Sequence, residues 1–471
     1  MGIYVVNRGD TLWKIAQRYG LDVQQIRTLN QLPDANKLVV GQSLVIPDPT
    51  KEYVVQTGDT LTQIAENYHV ALDDLAAVNN LTETSIIYEG QLLSLPYFLY
   101  LVEPGDSIWQ LAHSFGVTTA EILQVNFLVQ PSSIYPGTII RIPFPAKPNK
   151  QVCAYTIQLD QQGKQDMLMN GRLLTYVNPF SYQVNVDGSL TSLSDERILE
   201  AAKEMNVAPL LVLSNIKAGD FDSDTAATIL RDIQLQDKVI TNVLAIMNDK
   251  GYRGININFE YVYPEDRDRY TEFLKRMVRR LHPLGYLVTT AVAPKTSSDQ
   301  KGLLYEAHDY EAQGKVVDFI NLMTYEWGWA GGRPLAIAPI NEVEKVLDYA
   351  VTVIPKEKIM IGIPLYGRDW KIPWQEGTRA RTINAQEAVD LAFIYKEAIQ
   401  YDEIYQAPNF RYTDDNGQRH EVWFEDARSV KAKYERIANY DIRGAMFWVL
   451  GIPFAQKNWP VLQSEFQVMK I

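Results

Sequence analysis

Two patterns of apolar and polar positions divide the chain. Up to about residue 145, one unit recurs three times: "YVVNRGDTLWKIAQRYGLDVQQIRTLN", then "YVVQTGDTLTQIAENYHVALDDLAAVN", then the looser "YLVEPGDSIWQLAHSFGVTTAEILQVN". Each copy reads as strand, helix, helix and closing strand, the last being "VGQSLVIP", "EGQLLSLP" or "PGTIIRIP". Leu12, Ile15 and Ala16 recur at helical spacing, and Gly9, Gly58 and Gly105 mark equivalent turns. Asp10 and Thr11 stand at the first helix start, where side-chain oxygens can cap orphan N–H groups; Asp59, Thr60, Asp106 and Ser107 repeat the arrangement. The copies occupy 2–48, 51–96 and 98–145, and the proline-rich "PFPAKPNK" then reads as a linker of limited flexibility.

From about residue 151 the pattern changes to short apolar strands alternating with amphipathic helices. Eight strands are predicted: "CAYTI", "LLTYVNPFSYQV", "APLLVLSNI", "GININFEY", "YLVTTAVAP", "DFINLMTYEW", "KIMIGIPLYGR" and "GAMFWVLGIP". Between them lie helices such as 264–282, opened by Pro264, with Tyr270, Phe273, Leu274, Met277, Val278 and Leu281 on one face. Eight β–α units over 151–471 predict a TIM barrel, whose functional groups stand at the C-terminal ends of strands. The expected fold class is therefore multidomain: three small βααβ modules, then an α/β TIM barrel. Residues 371–440 are expected to form a small α+β insertion between strands seven and eight.

One strand departs from the apolar norm. In "GYRGININFEY", Asn256, Asn258 and Glu260 occupy alternate positions and so share a face, with Ile255, Ile257 and Phe259 on the other. A solvated strand face would look the same. In a barrel, the polar set points inward, the apolar set packs under the helices, and Glu260 stands at the catalytic end.

The chain has 471 residues, long enough for several domains, and is 46% hydrophobic and 22% charged, which suits ordered structure. A net charge of −12 offers no footprint for nucleic acid. The single cysteine, Cys153, excludes an internal disulfide and, within an apolar strand, reads as a structural thiol. The five histidines show no metal-ligand spacing, so no metal or other cofactor is expected. The N-terminus lacks the pattern of a secretory signal, and no apolar run is long enough to span a membrane. A monomer is expected.

The repeats closely resemble the LysM module, which binds N-acetylglucosamine-containing glycan. The resemblance implies a shallow sugar groove between the first strand–helix loop and the loop after the second helix. Gly9, Asp10, Thr11 and Leu12, with Asn30 nearby, would line it in the first copy. Gly58, Asp59, Thr60, Leu61 and Asn79 match in the second, and Gly105, Asp106, Ser107, Ile108 and Asn126 in the third. Three weak sites on one chain can act together on a polymer.

"RGININFE" resembles the Asp-Gly-x-Asp-x-Asp-x-Glu signature of glycoside hydrolase family 18. "LMTYEW" and "GAMFWVLG" resemble that family's sixth-strand and last-strand motifs. With LysM repeats ahead of the barrel and "VWFEDARS" before its last strand, the chain looks particularly like the spore cortical-fragment-lytic glucosaminidases of the SleL type. The resemblance implies that Glu260 protonates the glycosidic oxygen while the substrate's own acetamido oxygen attacks the anomeric carbon, with retention. Asn258 would orient the acetamido group, Tyr325 would touch it, and Trp448 would form the floor under the sugar. Asn256, Met323, Glu326 and Trp327 would complete the substrate site, Met323 being equally readable as core.

Arg253, Asn256 and Asn258 stand where the signature has three aspartates. An asparagine carbonyl can accept the acetamide N–H, but offers no negative charge and does not raise the pKa of Glu260 as a neighbouring aspartate would. A related endoglucosaminidase family, glycoside hydrolase family 85, resembles this arrangement with an Asn-x-Glu pair. Ser214 stands where the family has Ser-x-Gly-Gly, without the glycines. Asp369 and Glu425 lie on segments that could reach the cleft. The expected function is hydrolysis of peptidoglycan, that of the spore cortex, by an enzyme made without a signal peptide and held on glycan at the spore by its repeats. The rivals are a chitinase or chitooligosaccharide hydrolase, and a barrel that binds peptidoglycan without cleaving it.

Overall fold

The computed structural model describes residues 1–131, 134–452 and 458–471. It comprises two units: one holds most of residues 1–149 with Trp459–Gln467, and the other holds Lys150–Asn458 with Val39–Gln42 and Val468–Ile471.

In the first unit each repeat is a two-stranded antiparallel sheet under two helices. Gly2–Val5 pairs with Ser43–Ile46, Glu52–Val54 with Leu92–Ser94, and Tyr97–Leu101 with Ile139–Pro143. The helices are Leu12–Tyr19 and Val23–Leu29, Leu61–Tyr68 and Leu72–Val78, and Ile108–Phe115 and Thr119–Val125. Each module has its own small core, built in the first around Leu12, Ile15, Ile26 and Leu44. Leu12, Leu61 and Ile108 are therefore core residues and present no side chain to a groove.

At the first helix of each module, capping falls to the hydroxyl. Thr11, Thr60 and Ser107 are the N-caps, accepting from the amides of Lys14, Gln63 and Gln110. The aspartates expected to share this task turn the other way. Asp10 accepts from the Tyr4 hydroxyl at 2.6 Å and the Asn7 amide at 2.7 Å, and Asp59 and Asp106 repeat this with Tyr53 and Tyr100. They close the turn that Gly9, Gly58 and Gly105 make at positive φ.

Asn30 is fully buried and clamps the second helix to the closing strand. Its Nδ2 donates to the carbonyls of Ile26 and Val45, both at 2.8 Å, and its Oδ1 accepts the Val45 amide at 2.7 Å. Asn79 and Asn126 make the same three bonds in their modules. These asparagines hold the loops in place, with both amide hydrogens committed to backbone carbonyls.

In the second unit eight parallel strands close into a barrel: Asn149–Thr156, Tyr176–Pro179, Ala208–Ser214, Gly254–Asn258, Leu287–Val292, Phe319–Leu322, Ile359–Pro364 and Gly444–Trp448. The last pairs with the first, closing the ring. All eight predicted strands are present, though Pro453, at the end of the predicted eighth, lies outside the described residues. Ile255, Ile257 and Phe259 are buried under the helices. Cys153, Tyr155, Val212, Phe319 and Met446 fill the interior with their neighbours, and burial pushes the Cys153 thiol well up, leaving it unreactive.

The insertion is shifted from its expected limits. It begins at the strand Tyr366–Ile372, directly after barrel strand seven, and ends with Arg419–Trp423, forming a five-stranded antiparallel sheet with the helix Ala385–Ile394. The helix Ala427–Asn439, expected inside the insertion, is instead a barrel helix with Val430, Tyr434 and Ile437 buried. Asp369 faces into the insertion, where it accepts from the Tyr412 hydroxyl at 2.9 Å and lies 2.7 Å from His420 Nδ1. Glu425 forms a fully buried pair with Lys433 at 2.8 Å. Both are structural residues, remote in role from the cleft.

Replacing Asn30 with alanine orphans the buried Val45 amide and carbonyl, while the Ile26 carbonyl keeps the backbone amide of residue 30, so it should destabilise the first module by roughly 2–3 kcal/mol. Hydrogen exchange at the Val45 amide should accelerate accordingly; unchanged protection there would mean that the clamp is not what holds the closing strand.

Candidate active site

The catalytic end of the barrel opens into a cleft of about 360 Å³, within the range of ligand sites. Its lining joins polar groups from three strands to an apolar wall. Asn258 and Glu260 come from strand four, Met323, Tyr325 and Glu326 from strand six, and Trp448 from strand eight. Tyr155, Phe180 and Tyr366 complete the wall with the hairpin after strand three, which contributes Ile216, Gly219 and Phe221. That hairpin turns through Ala218 and Gly219, both at positive φ.

Asn256 sits one layer lower and does not line the cleft. It is fully buried, accepts from the Tyr155 hydroxyl at 2.6 Å and donates to Thr289 Oγ1 at 2.9 Å; Asn321 Nδ2 in turn donates to the Tyr155 hydroxyl at 3.2 Å. Four strands thus contribute to one polar belt across the barrel. Each member is polar because the others are. The Tyr155 ring lies against Trp448, centroids 5.5 Å apart, and Phe180 meets the indole edge-on at 5.0 Å and 90°. The belt therefore supports the aromatic floor.

Glu260 is positioned through its backbone. Asn215, one residue past strand three, donates from Nδ2 to the Glu260 carbonyl at 2.9 Å and accepts the Glu260 amide on Oδ1 at 3.0 Å. One residue earlier, the Phe259 carbonyl lies 2.9 Å from His308 Nε2, while His308 Nδ1 accepts the Ala293 amide at 2.9 Å. Burial lowers the His308 pKa to about 4, so this brace is neutral and Nε2 carries the donated proton. Neither Asn215 nor His308 was singled out by the sequence. Ser214, beside Asn215, bonds to the Ser181 hydroxyl at 2.8 Å and does not line the cleft.

The carboxyl of Glu260 is held at a pKa raised to about 7. Burial among the cleft's apolar residues pushes it up, a hydrogen bond from Asn258 pulls it down, and the Glu326 carboxylate pushes it up again. The elevation expected to be missing without an aspartate at position 258 is supplied by burial and by Glu326. Asn258 Oδ1 is buried and has no hydrogen-bond partner among the described residues. An acceptor in that state costs stability unless a ligand fills its valence.

Glu326 holds its place against its backbone preference, at φ 69°. The Tyr366 hydroxyl and Arg368 Nη2, the latter at 2.7 Å, both donate to its Oε1. Both donors come from the first strand of the insertion. Tyr325 packs over Gly362, where a Cβ would sit 2.6 Å from the ring, and its phenol is held far above its usual pKa by burial. It stays a donor. Met323 both packs in the barrel core and lines the cleft. Trp327 is not part of the lining; its amide bonds to the Ile337 carbonyl at 3.1 Å, and Trp329 is exposed.

Because Asn215 touches only the backbone of Glu260, its alanine variant should lower kcat roughly 10–100-fold through misplacement, with KM and the alkaline limb of the pH profile little changed. Steady-state kinetics across pH check this. A shifted limb with intact kcat would assign Asn215 to electrostatics instead.

Comparison with known proteins places this geometry. Residues 153–452 match the model of the glycosyl hydrolases family 18, and residues 4–47, 53–96 and 100–143 match the LysM domain. A cortical fragment-lytic enzyme of Bacillus anthracis is 46% identical over 299 residues, covering 63% of this chain and 69% of that protein. The Bacillus subtilis enzyme of the same name is 41% identical over 298 residues, with the same coverage. The crystal structure of the Bacillus megaterium spore cortex-lytic enzyme SleL superposes with a TM-score of 0.78 at 36% identity, over 100% of this chain and 99% of that one. A chitinase of Chromobacterium violaceum shares the fold, at 24% identity and a TM-score of 0.62 over 67% of this chain and 98% of its own. The chain belongs to the glycosyl hydrolases family 18, with three LysM domains preceding its barrel.

Proposed function

We infer that this protein cleaves β-1,4 N-acetylglucosaminyl bonds in the peptidoglycan of the spore cortex, with retention and by substrate-assisted catalysis. The observation that carries the reading is the pairing of a carboxyl group near pKa 7 with an unpartnered buried amide oxygen two residues away, above an aromatic floor. The similarity to cortical fragment-lytic enzymes supports cortex as the substrate and the spore wall as the place of action.

In this mechanism Glu260 is the acid and donates its proton to the glycosidic oxygen as the C1–O bond breaks. The substrate's acetamido oxygen closes on C1, forming an oxazolinium ion. Asn258 Oδ1 accepts the acetamide N–H and fixes that group for attack, and the Tyr325 hydroxyl donates to the acetamido oxygen. Glu260, now a carboxylate, supplies the negative charge near the cation that Asn258 does not. It then takes a proton from the water that opens the ring at C1, restoring both the acid and the original anomeric configuration.

Glu260→Gln should abolish cleavage of solubilised cortex, a loss of at least about 10³-fold, while retaining binding. Mass spectrometry of the products should show fragments ending in reducing N-acetylglucosamine only with the unmodified chain. Turnover of chitin in preference to cortex fragments would instead make this a chitinase, and binding without products from either chain would leave a peptidoglycan-binding barrel.

Since the reactive form of Glu260 is the protonated one, kcat/KM should fall as pH rises through about 7. Glu326→Gln removes the like charge that favours the protonated form, so the alkaline limb should move to lower pH. A limb that stays in place would show that burial alone sets the Glu260 pKa.

A further inference from the structure

The three LysM modules share a fold but not a surface. Trp13 and Trp109 occupy the same position in modules one and three, directly after Leu12 and Ile108 on the first helix, and are 58% and 68% exposed. One exposed apolar residue is ordinary on a protein surface, but an indole open at the same place in two of the three modules gives each a free aromatic face. The third module shapes its indole further: the His113 ring stacks on one face of Trp109, centroids 5.8 Å apart and planes 3° from parallel, leaving the other face free. In module two the corresponding residue is Thr62, which offers no ring.

Module two differs in two further ways. The Thr57 hydroxyl donates to Glu89 at 2.8 Å, joining the loop after the first strand to the loop before the closing strand. The same positions hold Arg8 and Val40 in module one and Pro104 and Pro136 in module three, pairs that cannot form such a side-chain bond. Charge separates the modules as well. Residues 51–96 carry one lysine against seven carboxylates, whereas residues 2–48 carry five cations against four carboxylates. Peptidoglycan bears carboxylates of its own, so module two is the least suited of the three to approach it.

We propose that modules one and three are the glycan-binding pair, each stacking a pyranose of the polymer on its exposed tryptophan, and that module two is a spacer whose loops are latched shut. The assignment rests on the reading of the chain as a peptidoglycan hydrolase. Two separated sites on one chain gain by acting together on one polymer, and losing either forfeits most of that gain.

The test is sedimentation of the full-length protein with purified insoluble spore peptidoglycan, using Glu260→Gln as the background so that the polymer survives. Trp13→Ala and Trp109→Ala should each weaken retention roughly tenfold or more, and the double variant should lose it nearly completely. Thr62→Ala should change it less than about twofold, whereas Thr62→Trp combined with Glu89→Ala should strengthen it. Both tryptophans are exposed, and an unchanged melting temperature shows that the variants fold. Retention unaffected by the double variant, loss with Thr62→Ala, or no retention of the background chain at all would each overturn the proposal. Cleavage of short soluble cortex fragments by chains with an intact Glu260 reads the active site separately. Thr62→Ala should leave it unchanged, and its absence would count against the enzymatic reading alone.

Discussion

The hydrogen bond from the Tyr155 hydroxyl to Asn256 is the interaction on which the rest of the cleft depends. A barrel interior cannot leave a polar side chain unpaired without a penalty of about 1–3 kcal/mol. Tyr155, Asn256 and Thr289 therefore pair with one another, and Asn321 joins them from a fourth strand through its Nδ2. The belt holds the Tyr155 hydroxyl, the Tyr155 ring lies against Trp448, and Trp448 lines the cleft. In this chain the middle position of the signature strand is thus scaffold. It holds an amide because an amide can donate to Thr289 and accept from Tyr155 at once, as a carboxylate cannot.

Above that layer the problem is one of charge. An acid useful near neutral pH needs an environment that resists its ionisation, and an asparagine neighbour cannot provide repulsion. The chain obtains the effect from enclosure and from a carboxylate further away. Glu326 is held in place beside the cleft by Tyr366 and Arg368, which both donate to its Oε1. The neighbouring amide, at Asn258, lines the cleft with an oxygen that no other described residue uses.

Much of this was legible in the sequence because it was periodic. The period-two alternation of 254–260 marked the inward face and placed Glu260 at the catalytic end, and the threefold repetition of Gly-Asp-Thr/Ser marked the modules. What stayed hidden lacked a period. Asn215 and His308 act on the backbone of strand four from distant points in the chain, and no local pattern announces such a contact. Asp10 and Thr11 were equivalent as caps on paper, but only the hydroxyl lies at the N-cap, while the carboxylate is drawn to Tyr4 six residues back. The insertion was misplaced because the strand Tyr366–Ile372 follows barrel strand seven after a single residue, so the two strands read as one.

That abrupt junction has its own consequence. The strand beginning the insertion carries both residues that secure Glu326, so the five-stranded sheet is wired to the electrostatics of the Glu260 carboxyl through two side chains. Surface insertions are ordinarily the most freely exchanged parts of a barrel. This one carries the two donors that hold Glu326, and the Glu326 charge in turn raises the Glu260 pKa, so trimming it would reach the cleft.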